Sequence, residues 1–94
     1  MKIGLTSVMV DDLEKALRFY TEKLGFVLKT DIPAGDSRWL TVASPEGAEG
    51  VELLLEPAGF EPAKVYQKAL RDAGIPLTMF FTSDIDGECA RLKA

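Results

Sequence analysis

Apolar and polar positions along the chain fall into stretches of period two and stretches of period 3.6, and turn residues mark each change of period. Residues 3–10 (IGLTSVMV) are β-branched and apolar, with Ile3, Leu5 and Met9 on one side and Val8 and Val10 on the other, which predicts a strand buried on both faces. Asp11 with Glu14 three residues on forms an acidic relative of the capping box, and both carboxylates suit the positive end of a helix dipole. The helix starting there carries Leu13, Ala16, Leu17, Tyr20 and Leu24 on one stripe and Glu14, Lys15, Arg18 and Glu22 on the water side. Gly25 ends it, with Phe26 placed to pack back on the last turn. Alternation returns over 26–32, where Phe26, Leu28, Thr30 and Ile32 oppose Val27, Lys29 and Asp31. PAGDS then turns into a strand at 39–43, SPEGAEG is a loop, and 51–56 is a strand with Val51, Leu53 and Leu55 on one face and Glu52, Leu54 and Glu56 on the other. The unit predicted so far is β-α-β-β-β.

A second helix opens at Glu61 and Pro62, turns Val65, Tyr66, Ala69, Leu70 and Ala73 to the core, and ends at Gly74 and Pro76. The short apolar run 77–82 (LTMFFT) predicts a buried strand, with Phe80 and Phe81 on opposite faces. SDIDGECARLKA predicts a third helix, capped by Ser83 or Asp84, with Ile85, Cys89 and Leu92 on one stripe. The junction Asp12-Leu13-Glu14 recurs at Asp84-Ile85-Asp86, which makes the tail the first two elements of a second copy of the module. The expected class is α+β: one domain over 1–94, with a first module at 1–56, a connecting helix at 57–76 and the start of a second module at 77–94.

Composition narrows what such a domain does. Ninety-four residues suit a single core, and so small a core gains from association with a second copy. The net charge of -4, with no Lys or Arg cluster, argues against nucleic acid. No apolar run approaches the roughly 20 residues of a membrane span, and the N-terminus enters a strand-like pattern directly, so no membrane role and a cytoplasmic location are expected. The single Cys89 agrees with a reducing compartment and, on an apolar stripe with no base, reads as a structural thiol. With no histidine, the chain cannot build a Ser-His or Cys-His pair and lacks the commonest ligand for zinc, nickel and iron. Gly35 and Gly47 lie in turns with no phosphate loop around them.

The order of elements, together with VMVDDLEKALRFYTEKLGF, RWLTVASPEG and GVELLLEP, resembles the vicinal oxygen chelate superfamily of glyoxalase I, bleomycin-resistance proteins and extradiol dioxygenases. The likeness runs over nearly the whole chain. It implies a glyoxalase-like mixed curved sheet, two modules of which enclose a metal or ligand cavity, and a second module truncated here. It also implies metal ligands at positions held by Leu5, by Leu77 or Thr78, by Glu52, and by a residue in strands beyond Ala94. Only Glu52 is of a ligand type, so no metal and no cofactor are expected.

Glu52 and Glu56 on the implied concave face would attract a cation, or would be solvated glutamates. Trp39 would stack on a flat or cationic ligand, although a large aromatic is expected in the core. Tyr20 reads as packing, and Asp12 and Asp84 as caps. Three classes of function stand open: a metal-free binder of a small cationic or aromatic molecule, with Glu52, Glu56 and Trp39 at its site; a divalent-metal-dependent lyase or dioxygenase; and an inactive fragment or assembly scaffold. The open edge expected at 77–82 points to a homodimer with its interface in 77–94.

Overall fold

The computed structural model describes residues 1–57 and 59–93. Four strands, β1 (Leu5–Val10), β2 (Val27–Ala34), β3 (Ser37–Ala43) and β4 (Glu52–Pro57), form one mixed, curved open sheet in the order β1-β4-β3-β2. β1 runs parallel to β4, and the other two neighbouring pairs are antiparallel. Three α-helices follow the pattern read from the sequence: α1 (Leu13–Arg18), α2 (Glu61–Ala73) and α3 (Ile85–Lys93).

The cap of α1 is Asp12 rather than the Asp11–Glu14 pair: its Oδ1 accepts from the Lys15 amide at 3.1 Å. Glu14 is thereby free to reach across to Arg38. After Arg18 the helix widens into a π turn over Phe19–Lys23, where the Leu24 amide bonds back to the Phe19 carbonyl at 3.1 Å. The predicted stripe survives this change of pitch: Ala16 and Tyr20 are buried, and Leu13, Leu17 and Leu24 pack around them. Against this stripe lie Leu40 and Val42 of β3 and Leu53 and Leu55 of β4, with Val8 and Val10 of β1 partly buried at the side. This is the core. The β2–β3 hairpin turns on Gly35 and Asp36, and Gly35 at φ 62° takes the left-handed position that a two-residue loop demands.

Four expectations of burial fail, because among the described residues the predicted apolar faces are left largely uncovered. β1 is an edge strand, so Leu5, Thr6 and Ser7 are exposed and the strand is not buried on both faces. Val65 and Tyr66 of α2 are 61% and 51% exposed; the helix touches the sheet through Gln67, whose Nε2 donates to the Met9 carbonyl at 3.2 Å. The run 77–82 is irregular and exposed and forms no strand, rather than a buried one. Ile85 and Cys89 of α3 are exposed too, and Ala94 lies outside the described residues. Phe80 alone anchors the 77–82 run, edge-on to Phe26 and Tyr20 at 5.5 and 6.2 Å between ring centroids. Asp84 is the cap of α3, accepting from the Gly87 amide at 3.0 Å.

Candidate functional site

Strand alternation and register together decide which side chains share the sheet face turned away from α1. Leu5 stands opposite Glu52, Ser7 opposite Leu54 and Met9 opposite Glu56 between β1 and β4, while Thr41 pairs with Leu54 between β3 and β4. Trp39 pairs with Ile32 on β2. Carrying the β3–β4 register two residues further puts Trp39 in the same row as Glu56. Glu52, Glu56 and Trp39 therefore occupy one face, with Leu54 and Thr41 buried at its centre and Leu5 and Ile32 exposed at its margins.

Trp39 is 41% exposed, which corrects the expectation of a core tryptophan. On β3 the even-numbered residues Leu40 and Val42 face α1 and fill the core, so the odd-numbered positions point the other way. The ring is thus available for stacking. Both glutamates are half-buried.

Thr41 was not singled out by the sequence reading. It is fully buried, and its hydroxyl donates to Glu52 Oε1 at 2.6 Å across the β3–β4 pair. The signal for it existed in the alternation of Trp39, Thr41 and Ala43, but pairing it with Glu52 needs the register across the 44–51 loop.

The opposite face, on the side of α1, holds a second polar cluster at the β2–β3 edge. Arg38 grips Asp31 with two hydrogen bonds, Nε to Oδ1 at 3.0 Å and Nη2 to Oδ2 at 2.7 Å, and reaches Glu14 Oε2 with Nη1 at 3.1 Å. The hydrogen bonds from Arg38 hold the Asp31 carboxyl below its usual range, and the same contacts raise the guanidinium further above its own. This network joins β2, β3 and α1 at the surface and reads as structural. Burial pushes the Tyr20 phenol upward, which keeps it neutral in the core.

Two clefts lie beside residues 77–92. One of about 260 Å³ is lined by Thr6, Phe26, Val42, Glu52, Leu53 and Phe80; another of about 600 Å³ opens between Leu24, Phe26, Phe81, Ile85 and Leu92. Both are gaps between the sheet body and the loosely packed 77–92 segment.

Residues 2–94 match the Glyoxalase/Bleomycin resistance protein/Dioxygenase superfamily, and the chain belongs to it. Protein YurT of Bacillus subtilis (strain 168) is 53% identical over 93 residues, covering 99% of this chain and 73% of YurT. Among solved structures, UcmS2 superposes with a TM-score of 0.79 at 28% identity, over 99% of this chain and 73% of its own. TnmS3, an antibiotic binding protein from Streptomyces sp. CB03234, superposes with a TM-score of 0.66 at 36% identity, over 99% of this chain and 69% of its own.

The divalent-metal site implied by the family does not fit the residues present. Leu5 and Leu77 or Thr78 stand at two ligand positions and offer no side-chain donor suited to a transition metal. Among the described residues, no three His, Cys, Asp or Glu side chains converge to hold an ion.

Proposed function

We propose that the protein binds a small cationic or aromatic molecule without a metal, on the face formed by Trp39, Glu52 and Glu56. The observation that carries this reading is the half-exposed Trp39 sharing a sheet face with two half-buried carboxylates. An aromatic surface beside fixed negative charge attracts a flat cation through stacking, cation–π contact and Coulomb attraction together. The antibiotic-binding relative TnmS3 supports a binding role on this fold.

A second copy of the chain covers the apolar residues left exposed beyond Pro57. The protein is accordingly a homodimer, with Phe80, Phe81 and α3 in or beside the interface; Phe81, 91% exposed, gains much from being covered. Within the single domain, 1–56 is the complete module, 57–76 the connector and 77–94 the beginning of another. The setting is the cytoplasm, in line with one free thiol and, among the described residues, no helix long and apolar enough to cross a membrane.

Titration calorimetry with ethidium, a planar aromatic cation, and with naphthalene disulfonate, a planar aromatic dianion, tests the ligand class. Ethidium should bind and quench the fluorescence of the single tryptophan, and Glu52→Gln should weaken it. Tighter binding of the dianion would overturn the reading. Light scattering after size exclusion tests the assembly: the expected species is a dimer that Phe81→Asp splits, and a monomer at high concentration would refute it.

A further inference from the structure

Thr41 is a fully buried polar side chain, paired with the buried Leu54 across β3 and β4. A buried hydroxyl must find a partner or bear a desolvation cost, and in a strand the nearest partner is usually the local backbone. Here the Thr41 hydroxyl instead spans to the neighbouring strand and donates to the Glu52 carboxylate at 2.6 Å, a short, charge-assisted bond. A hydroxyl has a single proton to give, so it engages Oε1 alone. Among the described residues, Glu52 Oε2 has no hydrogen-bond partner. The threonine cannot swing away, because it is 0% exposed and its χ1 is restricted by β-branching.

We propose that Thr41 is the positioning residue of the ligand site: it fixes the Glu52 carboxylate on the Trp39 face and leaves Oε2 available to a cationic ligand. The inference rests on the binding role proposed above and deepens it. A free glutamate must give up its rotamer freedom when it meets a ligand, whereas Thr41 has already removed that freedom in the empty protein. The cost avoided is that of one flexible side chain, which corresponds to about a three- to tenfold gain in affinity.

Calorimetry with ethidium on the wild type, Thr41→Val, Thr41→Ser, Glu52→Gln and the double variant T41V/E52Q reads this out. Valine matches threonine in shape and leaves Glu52 able to reach water, so the fold should persist; thermal melts check it. Thr41→Val should weaken ethidium about three- to tenfold, Thr41→Ser should bind like the wild type, and Thr41→Val should have no further effect once Glu52 is glutamine. Phenanthridine, the neutral ring system, should not distinguish wild type from Thr41→Val. Wild-type affinity in Thr41→Val, or an undiminished effect in the E52Q background, would overturn the role of Thr41 while leaving the binding reading intact. If ethidium does not bind the wild type, the binding reading falls, and magnetic resonance of the Glu52 methylene protons decides the positioning alone. A single rotamer in wild type and Thr41→Ser, averaged in Thr41→Val, upholds it; averaging in the wild type overturns it.

Discussion

Phe80→Ala should loosen residues 77–93 without unfolding the sheet. The Phe80 ring is 52% exposed and meets Phe26 and Tyr20 edge-on at 5.5 and 6.2 Å. Half of the roughly 1.5–3 kcal/mol for burying a whole phenylalanine is about 1 kcal/mol. Two edge-to-face pairs, each taken at the low end because of that exposure, add about another 1 kcal/mol. Little else holds the tail: α3 buries no residue, and Arg91 reaches the Lys23 carbonyl and Glu88 only at the surface. A loss of about 2 kcal/mol therefore falls on the local opening of this segment, a roughly thirtyfold change in its opening equilibrium. The core of Leu40, Val42, Leu53 and Leu55 does not include Phe80, so global unfolding should move far less. Amide hydrogen exchange read peptide by peptide compares the two regions in one experiment. Exchange across α3 should accelerate about thirtyfold while β3 stays close to wild type. Equal acceleration in β3 and α3 would show one cooperative unit and refute the reasoning, as would an unchanged α3.

Leu55→Ala empties a fully buried position and should cost about 2–5 kcal/mol, seen as a lower urea midpoint at unchanged slope. For Asp31 the folded-state carboxyl titrates below its ordinary value of 3.8, so its contribution is present above that pH and is lost as pH falls through the depressed value. Asp31→Asn should flatten the acid limb of the stability curve there, less so in high salt because the pair is exposed; an unaltered acid limb would show that Arg38 does not hold it. Elemental analysis of the dialysed protein should find no stoichiometric zinc, nickel, manganese or iron, and one metal per chain that Glu52→Ala removes would contradict this.

The sequence made the first module legible because its periodic stripes meet one another. The α1 stripe ending in Tyr20 and the odd residues Leu53 and Leu55 of β4 each predict a buried face, and the fold lays one on the other. The parity of β4 likewise placed Glu52 and Glu56 together correctly. Trp39 failed because residue type was weighed above position: a tryptophan reads as core, but alternation with Leu40 and Val42 decides its side. Thr41 was invisible because its role lies in a cross-strand contact over the 44–51 loop, and the alternation within one strand carries no register. The split of α1 into an α and a π segment left no mark on its apolar spacing.

The failures after Pro57 have a different cause. A hydrophobic pattern states which residues share a face; it does not state what covers that face. Val65 and Tyr66 on α2, Met79 and Phe81 in the 77–82 run, and Ile85 on α3 stand exposed, because no element among the described residues covers them. Exposure of that many large apolar groups is costly in water, at roughly 25 cal/mol for each Å² left uncovered. The same condition holds at the Trp39 face, where Leu5 and Ile32 flank the carboxylates uncovered. The two exposed regions lie on different sides of the sheet, since Phe80 packs on Tyr20 and Phe26 on the α1 side while Trp39 faces away from it, so a partner that covers the tail closes the Trp39 face only if it also reaches round the sheet edge. Were a partner to close the Trp39 face, it would also desolvate Glu52, and a cation meeting that carboxylate would do so in a medium where charge attracts more strongly than in open water, so ligand affinity would then rise with protein concentration.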